Sequence, residues 1–169
     1  MPSGIESYSR HFAHPVTLLS VSDGVHENVA TMSWISPVST RPPLLMVAVH
    51  PKRYTHELIL KSKEFAILVL SNLQQELATL AGTISGKNKN KWDLPQFKLQ
   101  KKKAKKIKAP LLKECRASLE CKLVNHFTAG DHTIFISEVI ESEFDPDVLP
   151  LILFNRKYIN PGQFIANYP

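Results

Sequence analysis

Apolar residues in this chain recur mostly with a two-residue period or in short unbroken runs, and both patterns belong to strands. Residues 16–22 are apolar and β-branched, and Asp23 with Gly24 follows as a hairpin turn signal. Residues 27–34 form the returning strand, with Val29 alternating against Asn28 and Ala30. Residues 44–49 are a continuous apolar run, too short for a good helix and suited to a strand buried on both faces. Residues 65–70 read as another strand, and 149–154 as a short one. Residues 116–124 and 133–140 alternate and bracket a turn at 128–131, which predicts a second hairpin. Helical spacing is confined to two places. Thr55 stands where it would cap a helix, with Glu57 in the first turn and Leu58 and Ile59 on one side. Leu77, Leu80 and Ala81 give a short helix over 75–81. Residues 82–110 are polar with little periodicity, and a connection of that length is usually functional or mobile. The pattern shows no internal repeat and no second domain. It predicts one mainly β domain over residues 1–169, an antiparallel barrel with a few short helices.

Composition narrows the class. A chain of 169 residues, 43% hydrophobic and 21% charged, buries a core without staples and is neither disordered nor membrane-spanning. No apolar run is long enough to cross a bilayer, and the N-terminus lacks the basic and apolar regions of a secretory signal, so a cytoplasmic protein is expected. Cys115 and Cys121 fall in one strand-like segment, roughly 20 Å apart along it, too far for a disulfide; buried reduced thiols are expected. The net charge of +6 comes mainly from the lysines between 98 and 108. That run has no interleaved aromatics and no nucleic-acid-binding motif, so it reads as a solvated loop and nucleic acid as an improbable partner.

The densest chemistry lies in residues 28–39, 41–44 and 52–55. A plain hairpin does not need small hydroxyls beside Trp34, a double proline at Pro42 and Pro43, and then Arg53, Tyr54 and Thr55 in series. These segments resemble the flavin-binding part of the flavin reductase-like family, and its flavoredoxin branch in particular. Residues 85–87, 90–92, 109–112, 119–121 and 130–136 fit the same family in order and spacing. The resemblance implies an antiparallel Greek-key split barrel that holds FMN near the interface of a homodimer. It implies that Asn28, Trp34, Thr55, Lys91 and His132 surround the flavin ring and that residues 31–33 (Thr31, Met32, Ser33) run alongside it. Ser39, Arg53 and Thr55 would serve the phosphate, a group that favours hydroxyls, a cation and a helix N-terminus. Tyr54 lies within that cluster, and Phe164 matches an aromatic that covers the ring. His132, after Gly130 and Asp131, would orient the incoming nicotinamide or compensate charge as hydride arrives. The implied activity is reduction of flavin by NADH or NADPH, with electrons passed to a flavin, metal or redox-protein acceptor. The alternative is a non-enzymatic FMN electron carrier.

Competing motifs fail on context. His11 and His14 have helical metal spacing but flank Pro15 and lack a further ligand pair, so no metal site is expected. Ser36 and Ser39 lack the glycine frame of a hydrolase nucleophile. No glycine-rich dinucleotide or phosphate-loop fingerprint occurs, so any nicotinamide nucleotide binds without a Rossmann half.

Overall fold

Seven strands build the main sheet, and their order decides where the site lies. A computed structural model of the chain describes residues 5, 7–163 and 165–167. The strands are β1 (His14–Pro15), β2 (Thr17–Ser22), β3 (Glu27–Met32), β4 (Ile35–Ser39), β5 (Leu44–Val49), β6 (Glu64–Val69), β7 (Lys101–Lys102), β8 (Leu111–Leu112), β9 (Ala117–Ala129), β10 (His132–Phe144), β11 (Ile152–Phe154) and β12 (Lys157–Ile159). Three helices interrupt them: α1 (Tyr54–Ser62), α2 (Gln75–Thr83) and α3 (Pro95–Gln100). The main sheet runs β3-β2-β6-β9-β10-β5-β4, and every pairing in it is antiparallel.

β3 and β4 are the two outer strands of that order, yet only Ser33 and Trp34 separate them in the chain. Three Cα–Cα steps reach about 11 Å at most, so the sheet must curl until its edges meet at this corner. The result is a mainly β barrel, split at the β3–β4 seam. The sequence pattern had carried β3 on to Trp34. Instead the strand stops at Met32, whose carbonyl accepts from Thr17 Oγ1 at 2.8 Å, and Trp34 offers its carbonyl to the Ala48 amide at 3.0 Å.

β2 lies between two apolar cores, which is why all six of its residues are buried. Leu18 packs with Leu68, Leu77, Trp92 and Phe97 on one side. Leu19 and Val21 pack with Val47, Leu58, Phe65 and Phe135 on the other. The first hairpin turns where expected: Asp23 accepts from the amides of Val25 and His26, bonds that hold its carboxyl down at about 2, and Gly24 takes φ +94°. Cys115 precedes β9 rather than sharing it with Cys121; both thiols are free.

The connection 82–110 is not structureless, although five of the seven lysines between 98 and 108 stay exposed to solvent. It contains a 3₁₀ turn at Lys91–Asp93 and α3, and it buries Trp92, Phe97, Ile107 and Ala109. Three of these lysines form ion pairs. Lys101 pairs with Glu27 at 2.6 Å, Lys102 with Glu143 at 2.7 Å, and Lys105 with Glu143 at 2.8 Å. Beneath them the buried Glu120 carboxylate accepts from the amides of Lys105, Lys106 and Ile107 at 2.9, 2.7 and 3.2 Å. Glu120→Gln is expected to destabilise the protein by about 1–3 kcal/mol, because a charged acceptor serving three amides becomes a neutral one with a donor misplaced among donors. Chemical denaturation gives the comparison; a midpoint unchanged from wild type would show that this carboxylate does not anchor the crossing.

Candidate functional site

A cavity of about 490 Å³ opens at the β3–β4 seam, within the size range of cofactor sites. Four parts of the chain converge on it. β3 and the seam supply Asn28, Thr31, Met32, Ser33 and Trp34; the end of β5 and the start of α1 supply His50, Lys52, Arg53, Tyr54 and Thr55. The end of α2 and the segment after it supply residues 81–87 and Lys91, and the start of β10 supplies His132. Ten of the twelve residues named from sequence therefore share one cavity. Ser39 does not: it pairs with Leu44 across an irregular register step in β4 and does not line the cavity. Phe164 lies outside the described residues.

Thr55 is not the helix cap. α1 begins at Tyr54 with Arg53 at the N-cap position, and no side chain caps it. First-turn amides without a capping side chain, beside Arg53 and Lys52, are a ready anion site. Thr55 is buried and turned inward, where its hydroxyl accepts from Asn28 Nδ2 at 2.9 Å. The other end of that amide, Asn28 Oδ1, is buried without a hydrogen-bond partner among the described residues. Gly86 presses so close to it that no Cβ would fit there. Thr31 Oγ1 donates to the Ala78 carbonyl at 2.5 Å and ties β3 to α2.

Lys91 is buried, and its ammonium donates to the Ala81 carbonyl at 2.8 Å, satisfying one of the unpaired carbonyls of the last turn of α2. Burial, with the Arg53 charge adding to it, brings its pKa down to about 8 from an ordinary 10.5. His132 stands at the start of β10. Asp131 Oδ1 lies 2.6 Å from its Nδ1, and a carboxylate only accepts, so Nδ1 carries the proton and Nε2 is the free position. The imidazole packs 4.9 Å from the Trp34 ring and 5.4 Å, edge on, from His50. Asp131 thus orients His132 as well as shaping the turn.

A flavin reductase like domain is matched over residues 9–161. The chain belongs to the flavin reductase-like family. Among family relatives, a protein of Archaeoglobus fulgidus is 38% identical over 165 residues, covering 93% of this chain and 89% of that one. The reductase component of 4-nitrophenol 4-monooxygenase/4-nitrocatechol 2-monooxygenase from Rhodococcus opacus is 32% identical, covering 79% and 67%. Among solved structures, the NADH:FAD oxidoreductase SgcE6 of Streptomyces globisporus superposes with a TM-score of 0.87 over 96% of both chains at 23% identity, a likeness of fold.

Sequence reasoning missed His50 and the cavity-lining part of residues 82–87 as members of the site. Residues 85–87 carry a signal, a small-residue turn ending in a lysine, but nothing local in the chain says which way it faces. His50 ends an apolar strand and gives no local signal at all.

Proposed function

We propose that this chain binds FMN in the seam cavity and catalyses its reduction by NADH or NADPH, handing electrons on to a flavin, metal or protein acceptor. The observation that carries this reading is the convergence on one cavity of α1's uncapped N-terminus, the cations Lys52, Arg53 and Lys87, and the paired rings of Trp34 and His132. The residues fit the group. The Lys91 ammonium lines the cavity and spends one of its three donors on the Ala81 carbonyl, leaving donors for the carbonyls of the ring's polar edge. Arg53 and the first-turn amides of α1 suit the phosphate, residues 31–33 offer main-chain groups, and Trp34 shields one flank. When bound, the flavin itself carries the two-electron chemistry, and the chain positions and tunes it. The Rhodococcus and Streptomyces relatives, named as a monooxygenase reductase component and an NADH:FAD oxidoreductase, support the activity, and the former an oxygenase as acceptor. Anaerobic mixing with NADH and NADPH, followed at the flavin's visible band, tests it. Bleaching by either supports a reductase; absence of bleaching by both makes the protein a carrier reduced by a partner.

The working form is a homodimer in the cytoplasm. The β9–β10 hairpin extends beyond β6 and leaves Val124 and Phe127 more than half exposed, an apolar face suited to a second copy. The free thiols fit a reducing compartment, and no helix among the described residues is long and apolar enough to cross a membrane. Light scattering on the flavin-loaded protein reads the assembly directly; a stable loaded monomer would refute the dimer.

Lys91 sets a pH dependence with two opposite slopes. In the flavin-free protein its pKa of about 8 lies below the ordinary 10.5, so the unfolded chain holds more protons between these values. From this group, stability therefore rises as pH climbs from about 8 towards 10.5. Affinity for an anionic cofactor runs the other way, since the ammonium charge is lost above about 8. FMN binding is expected to weaken roughly three- to tenfold between pH 7 and 9.5, from loss of one nearby charge. Fluorescence titration of Lys91→Met should show the slope flattened; an equal slope in the variant would assign it to another group.

A further inference from the structure

A second cavity, of about 200 Å³, backs onto the first: Ser33 and Trp34 line both. Its remaining walls include Arg10, Phe12 and His14 from the segment leading into β1, and Asn155 and Arg156 from the β11–β12 turn. Both walls are pinned. β1 pairs with β11 through His14 and Leu153, and the His14 ring nitrogen Nε2 lies 3.1 Å from the Ser9 carbonyl. Asn155 and Arg156 take φ +46° and +64°, the two left-handed residues of a tight hairpin connection between β11 and β12. Arg10 and Arg156 are thus carried to one small cavity by fixed turns. Among the described residues, neither guanidinium has a side-chain hydrogen bond or an ion pair. Two arginines without side-chain partners lining one space suit a doubly charged oxyanion, because the planar guanidinium fork matches phosphate oxygens.

We propose that this cavity receives the 2′-phosphate of NADPH and makes the phosphorylated dinucleotide the preferred donor. The proposal rests on the reading of the larger cavity as the flavin site. A nicotinamide placed beside His132 and Trp34 has its adenosine end free to pass the Trp34 wall, where Phe12 adds a second ring and Asn155 an amide. A terminal phosphomonoester is dianionic and compact, matching two arginines and a small space. An arginine beside the ribose is the general means of accepting a 2′-phosphate. The preference separates this chain from the Streptomyces relative, named for NADH.

Calorimetric titration of the flavin-loaded protein with adenosine 2′,5′-bisphosphate and with adenosine 5′-monophosphate tests this without electron transfer. The bisphosphate is expected to bind at least tenfold tighter. The double variant Arg10→Gln/Arg156→Gln, with an unchanged melting temperature as the check on folding, should bind both nucleotides alike. In anaerobic reduction the same variant should lose its NADPH preference and keep its rate with NADH. Equal binding of the two nucleotides by wild type, or a preference that survives in the double variant, overturns the proposal. A variant weakened equally toward NADPH and NADH would place the pyrophosphate at the arginines and also overturn it. Failure of the flavin reading looks different: purified protein that neither carries nor takes up FMN.

Discussion

Gly86→Ala should cost the protein roughly ten- to a hundredfold in FMN affinity, about 1.4–2.7 kcal/mol, while the barrel stays folded. The cause is steric. Gly86 is not held at a positive φ, so alanine meets no backbone penalty, but its Cβ would land on Asn28 Oδ1. Asn28 is 2% exposed and cannot swing aside, because its amide nitrogen holds the buried Thr55 hydroxyl at the first turn of α1. Either Asn28 moves and drags that turn with it, or the segment 84–87 lifts away from the cavity. Overpacking of this kind costs about 1–3 kcal/mol, and both routes deform the proposed binding surface. Gly162→Ala is the matched control, since a Cβ there meets nothing within 4 Å. Fluorescence titration with FMN compares the two; wild-type affinity in Gly86→Ala would mean that the flavin does not lie against this wall.

His132→Ala should slow flavin reduction by the nicotinamide donor ten- to a hundredfold, about 1.4–2.7 kcal/mol of barrier, and leave FMN bound. Retention is expected to depend mainly on the charge-assisted contacts that α1 and Arg53 offer a phosphate, which are stronger than one neutral imidazole bond. His132 instead stands beside Trp34 at the mouth of β10, with Asp131 fixing its ring. Asp131→Asn should reproduce part of the loss by loosening the imidazole, an effect a purely structural turn residue would not show. Stopped-flow reduction per bound flavin gives both rates. Equal rates in wild type and His132→Ala would reduce the residue to a packing partner of Trp34.

The strands were readable because burial on the two barrel faces writes itself into the chain as alternation or as apolar runs; β2, β5 and β6 are clear cases. β4 was not, since Pro37 and two serines mask a strand that sits at the sheet's edge, where proline is tolerated. The crossing at 82–110 hid its structure for a different reason. Trp92, Phe97 and Ile107 are buried by tertiary contact at spacings that match no single period, among polar neighbours. The helix start at Tyr54 shows how little a one-residue boundary shift need matter to the fold and how much to the site. It moved Thr55 from a cap to a partner of Asn28. Ten residues that line the cavity were named through the family's order of motifs; the opposing wall at 82–87, which only folding brings over Asn28, was not.

The lysine-rich crossing also bears on how quickly ligands arrive. Lys101, Lys102 and Lys105 form ion pairs with Glu27, Glu141 and Glu143, and Glu64 and Glu120 accept from main-chain amides of the same stretch, so five carboxylates offset most of the seven lysines between 98 and 108. Most of the formal +6 therefore resides elsewhere, and Lys52, Arg53 and Lys87 stand on the cavity lining. Field lines from that rim draw anionic nucleotides inward while the crossing stays electrostatically quiet. Capture of FMN should be fast in dilute buffer and slow steeply as salt screens the rim.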